Sequence, residues 1–171
     1  MTAGDTVNRL AIIALGSNLG DSVQILRAAL ERLQTFSAGQ LQSSSLWQTA
    51  PIDCPPGSPP FVNAVAVFVP RENETPESLL AILQAIELEF GRAPKLVLNE
   101  PRSLDLDLIA FGKETCSTPS LTLPHPRAHL RRFVLAPLDE ITPGLILPGQ
   151  SRTVRELLAS LPNVEQAARL D

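Results

Sequence analysis

A chain of 171 residues, 44% hydrophobic and 19% charged, is long enough to bury a full core without disulfide or metal staples. A net charge of −4 argues against broad nucleic-acid binding, so any polyanionic ligand has to be held locally, by a few arginines and metal ions. No apolar run reaches the roughly 18 residues of a membrane span and no basic, signal-like opening is present, which makes a cytoplasmic protein without membrane contact the expectation.

In chain order, Arg9 to Leu15 is predicted as a buried strand, and Gly16 to Gly20 as a tight connection. From Asp21, a plausible N-cap, the apolar positions Val23, Ile25, Leu26, Ala29, Leu30, Leu33 and Phe36 recur at helical spacing. Gln42 to Gln48 is predicted as a second strand, Ala50 to Pro60 as a Pro-rich loop and Phe61 to Val69 as a third strand. Thr75-Pro76-Glu77-Ser78 opens a helix that runs through Leu79, Leu83 and Ile86 to Gly91, a suitable C′ stop. A polar loop, Arg92 to Pro101, leads into a fourth strand. Beyond it come Leu121 to Pro126, an apolar segment Phe133 to Leu138, and a last helix from about Thr153 to Leu161. The order strand-helix-strand-strand-helix-strand predicts an α+β protein with a ferredoxin-like βαββαβ core. Its sheet should be largely antiparallel, with the helices on one face and a C-terminal extension following. Without repeats or linker composition, residues 1–171 are expected to form one domain.

The fourth strand carries the chemistry. In PRSLDLDLIAFG, Asp105 and Asp107 stand two apart, so their carboxylates share one strand face, roughly 6 to 7 Å apart. The flanking Leu104, Leu106, Leu108 and Ile109 make a solvated acidic surface improbable, and two unpaired carboxylates there would be very costly. A divalent cation or an arginine must answer them. Arg102 could neutralise one at most, whereas Mg²⁺ accepts carboxylate oxygens together with water and phosphates. Cys54 and Cys116 lack metal-ligand spacing and read as two reduced thiols. Neither GxxxxGK[ST] nor GxGxxG occurs, so any nucleotide is held without a P-loop or Rossmann turn.

Four segments together resemble the 6-hydroxymethyl-7,8-dihydropterin pyrophosphokinase family, which moves the pyrophosphoryl group of ATP onto a pterin alcohol in folate biosynthesis. They are AIIALGSNLGD; LWQTAPI with PPFVNAVAVF; IELEFGR through PRSLDLDLIAFG; and LTLPHPRAHLRRFVLAPLDEI. The resemblance implies that Asp105 and Asp107 hold two Mg²⁺ ions against ATP, and that Arg92 and Arg102 act with them as catalytic groups gripping the phosphates. It places Thr122, His125 and Arg131 on the nucleotide side. On the pterin side it places Phe61 and Phe133 as stacking rings, Asn63 as the amide that reads the ring edge, Thr49 and Ile52 as backbone contacts, and Gly16 in the adjoining turn. The plain alternatives are that Arg92 caps a helix end, that Arg131 and Arg132 are solvated, and that Phe61 and Phe133 are core residues. A small-molecule enzyme compatible with a monomer follows. A non-catalytic pterin-binding paralogue and a metal-dependent nucleotidyltransferase are the competing functions. The chain departs from the family in its closing loop, where Asn99 and Glu100 replace an aromatic residue and a glycine and Pro94 replaces a basic residue. Pro126 stands where tyrosine is common. Loop closure over ATP is therefore expected to be weaker than usual.

Overall fold

The computed structural model describes residues 9–93, 100–163 and 167–170. These run β1 (Ala11–Ser17), α1 (Ser22–Gln34), β2 (Gln42–Ser43), β3 (Trp47–Thr49), β4 (Phe61–Phe68), α2 (Pro76–Glu89) and β5 (Asp105–Phe111). A small hairpin of β6 (Cys116–Ser117) and β7 (Thr122–Leu123) follows. Then come a 3-10 turn (Ala128–Leu130), α3 (Arg132–Ile141), α4 (Val154–Ser160) and β8 (Ala167–Arg169). The sheet order is β5-β1-β4-β3-β8, with β2 also on β4, and every pairing is antiparallel. The core is ferredoxin-like, with β8 added at its edge.

Local chemistry sets the element ends. The Asp21 carboxylate accepts from the Gln24 N–H to start α1, and Thr75 with Ser78 forms a capping box ahead of Pro76 at the start of α2. At the other end of α2, Gly91 takes φ +80°, where a side chain would be strained. Its N–H bonds Leu88 O, and the Arg92 N–H bonds Glu87 O. This Schellman closure turns Arg92 back under its own helix.

The expected second strand is split. The Ser44 hydroxyl accepts from the Val65 N–H at 3.0 Å while the Ser44 N–H donates to Val65 O, so a side chain replaces one rung of the ladder between β2 and β3. The strand expected at Arg9 to Leu15 lies two residues further along, which moves Gly16 from a turn into β1.

Helices cover both faces of the sheet, contrary to the one-sided packing expected from the sequence. Ala11, Ile13 and Leu15 of β1 pack with Leu26 and Leu33 of α1 and Leu79, Leu83 and Ile86 of α2. Ile12 with Val65, Val67 and Ile109 packs with Leu135 and Leu138 of α3 and Leu157 of α4. The physical reason is that a six-stranded sheet with apolar residues on both faces has to bury both. The C-terminal extension is thus the second covering layer. On β5, Ile13 pairs with Leu108 and Ile12 with Ala110, leaving Ile109 as a bulged extra residue. The bulge turns Ile109 and Ala110 both toward α3 and returns Phe111 to the α1–α2 layer.

Candidate active site

Strand alternation decides where the site forms. Gly16 of β1 lies between Asn63 of β4 and Asp105 of β5, and Ala14 lies opposite Asp107. These residues share the α3 side of the sheet, past the point where α3 begins, so that end of the face stays open. A Cβ on Gly16 would come within 3.3 Å of Asn63 Oδ1 and 3.7 Å of a Phe61 ring carbon. The missing side chain is what opens the floor. Above it lies a cleft of about 850 Å³, roomy enough for a sizeable ligand.

At one end of the cleft Asp105 meets Arg92 at 3.1 Å and Arg102 at 3.6 Å, while Asp107 meets Arg131 at 4.0 Å. Arg92 also pairs with Glu87, a residue of α2 that no sequence motif marks. Glu87 is 6% exposed, and its carboxylate accepts the Leu106 N–H at 2.7 Å, tying α2 to the strand between the two aspartates. Burial pushes its pKa up, opposed by the Leu106 N–H and Arg92. Asp107 is raised too, first by burial and then by Asp105, against the opposing pull of Arg131, Arg102 and Arg92. Its carboxylate is under-compensated, a condition a bound cation would relieve. The Nε–H of Arg102 is buried with no acceptor among the described residues, a donor suited to an incoming anion.

At the other end, the Asn63 amide is 5% exposed and donates to Thr49 Oγ1 at 2.7 Å, so its orientation is set before any ligand arrives. Thr49, Ile52, Phe61 and Phe133 line the same cleft. The guanidinium of Arg102 lies 5.8 Å from the Phe61 ring and that of Arg131 lies 5.3 Å from Phe133, so the two ends adjoin. Asn18, 3% exposed, joins them through the backbone. It accepts from the Arg102 N–H, donates to Pro59 O, and its own N–H bonds Arg102 O. Gly16-Ser17-Asn18 thus holds an arginine and the Pro-rich loop together.

The residues expected from the sequence converge with one exception. Thr122 lies exposed in β7, outside the cleft lining, where Ser120 of the same hairpin takes part instead. Arg92, Arg131, Phe61 and Phe133, each of which also has a plain structural reading, all line the cleft. Arg127, which carries no expectation from the sequence, lines it as well. Residues 94–99 of the closing loop, including Pro94, Lys95 and Asn99, lie outside the described residues. Glu100 is partly buried.

His125 is held by its backbone, its N–H bonding Ile109 O at 2.8 Å, and by the Arg127 N–H, which donates to Nδ1 at 3.2 Å. Burial, with Arg131 and Arg127 close by, lowers its pKa from 6.5 to about 4, so the ring is neutral at pH 7. The unfolded chain takes up this proton near pH 6.5, and the folded chain refuses it until about pH 4. Stability is therefore expected to fall as the pH drops through that window and to level off below it. His125→Gln lacks the penalty, so the wild-type melting temperature should fall relative to the variant's between pH 7 and pH 4. A difference independent of pH in thermal scans would contradict this.

Three comparisons bear on the family and the fold. The family described as 7,8-dihydro-6-hydroxymethylpterin-pyrophosphokinase (HPPK) matches residues 12–143. The 2-amino-4-hydroxy-6-hydroxymethyldihydropteridine pyrophosphokinase of Pseudomonas aeruginosa is 41% identical over 151 residues, covering 88% of this chain and 90% of that protein. The protein of the same name from Haemophilus influenzae is 42% identical over 150 residues, covering 86% and 90%. A solved structure described as "Crystal Structure Analysis of the HPPK-DHPS in complex with substrates" superposes with a TM-score of 0.71 at 14% identity over 90% of this chain. The chain spans 43% of that longer polypeptide, and the likeness there is one of fold.

Proposed function

The chain belongs to the 7,8-dihydro-6-hydroxymethylpterin-pyrophosphokinase family, and from that premise we propose that its cleft transfers the pyrophosphoryl group of ATP to 6-hydroxymethyl-7,8-dihydropterin. The observation that carries the assignment is the division of one cleft into a charged end, Asp105 and Asp107 among Arg92, Arg102, Arg127 and Arg131, and a flat-ring end, Phe61, Asn63 and Phe133. The pterin hydroxymethyl oxygen forms a bond to the β-phosphorus, the bond from that phosphorus to the α–β bridging oxygen breaks, AMP leaves, and the proton of the alcohol passes to solvent water. Such a transfer asks the protein mainly for positioning and charge neutralisation. Arg92 and Arg102 supply planar donors to phosphate oxygens. Glu87 and Asn18 hold those arginines in place. Neutral His125 offers a donor to a phosphate oxygen through its Nε2 proton, since its Nδ1 already accepts from Arg127.

Two Mg²⁺ ions are proposed at Asp105 and Asp107. The donor set fits, because hard carboxylate oxygens share one face and Asp107 is under-compensated by the arginines around it. Bound there, the ions would neutralise phosphate charge and polarise the group being transferred. Asp105 and Asp107 would hold the ions through their carboxylates, and Phe61 and Phe133 line the part of the cleft that the pterin would occupy. We place this activity in one cytoplasmic, monomeric domain without nucleic-acid or membrane partners; among the described residues no helix is long and apolar enough to cross a membrane.

The test is AMP release from MgATP with and without added 6-hydroxymethyl-7,8-dihydropterin. Release that depends on the pterin is the expected result. Tight pterin binding without AMP would instead make the chain a binding protein.

A further inference from the structure

A carboxylate remote from the proposed chemistry gathers an unusual set of donors. Glu140, in the last turn of α3, accepts from Ser45 Oγ at 2.6 Å, from the Ser45 N–H at 3.1 Å and from the Trp47 indole N–H at 3.1 Å. Arg169 of β8 stands 3.5 Å away. Burial pushes the Glu140 pKa up, but the bonds from Ser45 and Trp47 and the nearby Arg169 more than offset it, and the carboxyl is held below its usual range.

The elements tied together are the walls of the ring-binding end. Glu140 lies seven residues after Phe133, two helical turns along, so both project from the same side of α3 toward the sheet. Trp47 lies opposite Asn63 on β4 and opposite Arg169 on β8, and Thr49, the partner of the Asn63 amide, ends the same strand. That strand is three residues long. Its outer neighbour β8 is equally short, with one further bond from the Leu170 N–H to Leu46 O at 2.7 Å. Strands this short are weakly specified by their own ladder. The Glu140 bonds supply what the ladder lacks.

We propose that Glu140 is a positioning residue for the pterin. It holds Ser45 and Trp47, and through them Thr49 and Asn63, at a fixed distance from Phe133 on α3. The proposal rests on the assignment of the Phe61, Asn63 and Phe133 end to the pterin. Charged hydrogen bonds are among the stronger ones, and small displacements of a recognition group are heavily penalised.

The experiment uses the full chain. Glu140→Ala should raise the KM for 6-hydroxymethyl-7,8-dihydropterin on the order of tenfold while the KM for ATP stays within about twofold. Glu140→Gln, which keeps an acceptor oxygen, should recover part of the loss. Trp47 is the chain's only tryptophan, so its emission should shift to the red in Glu140→Ala as the indole loses its partner. Should Glu140→Ala fail to fold, Trp47→Phe removes a single donor and should raise the pterin KM by about threefold, again selectively. A folded variant in which both Michaelis constants are unchanged, or both move equally, overturns the proposal. Wild-type chain that neither binds nor turns over the pterin would instead overturn the assignment of the site.

Discussion

Asp107→Asn is expected to cut pterin-dependent AMP release by about 10³-fold, the scale seen when a group stabilising developing charge is removed. The same substitution should leave the melting temperature unchanged or raise it. In the folded chain Asp107 is raised by burial and by Asp105, so it takes up a proton more readily folded than unfolded. Its contribution to stability falls as the pH rises past the ordinary carboxylate range, and the ionised form is a liability that asparagine lacks. Asp105→Asn should lose turnover to a similar degree but with the opposite effect on stability. Asp105 answers Arg92 at 3.1 Å and Arg102 at 3.6 Å, and stripping a partner from partly buried guanidiniums should cost about 1–3 kcal/mol. Added MgATP should raise the melting temperature of wild type and do so much less in either variant. Either variant retaining turnover within tenfold of wild type would refute the metal assignment. A matched loss of stability in both would refute the contrast between them.

Asn63→Ala is expected to weaken pterin binding by about 1–3 kcal/mol, roughly 5- to 150-fold, with ATP binding within about twofold. The amide is buried, is oriented by Thr49 and faces the gap above Gly16, so its loss leaves a ligand edge without its partner. Gly16→Ala reaches the same group from the other side. Its Cβ, 3.3 Å from Asn63 Oδ1, forces the amide to give by a few tenths of an ångström, and a smaller loss of the same selectivity should follow. Calorimetry on the two ligands separately decides the matter. Equal losses for ATP and pterin would show that Asn63 supports the fold of the cleft rather than reading the ring.

Short-range periodicity and local caps are legible in the chain without any tertiary contact. Helix starts at Asp21 and Thr75, the stop at Gly91, and the shared face of Asp105 and Asp107 all depend on neighbours within a few positions. Aligned motifs added the family and most of the cleft. The rest emerges on folding, because antiparallel register joins residues that are distant in sequence. Gly16 reads as a turn glycine from its neighbours, and only β4 and β5 on either side make it the gap in the floor. Glu87 looks like one polar residue in an apolar helix until the Schellman turn brings Arg92 beneath it and the Leu106 N–H within reach. Thr122 matches a motif yet falls outside the cleft, because the β6–β7 hairpin presents Ser120 there instead. The second helical layer could not be foreseen from period alone, since a strand apolar on both faces does not say which later helices will cover it.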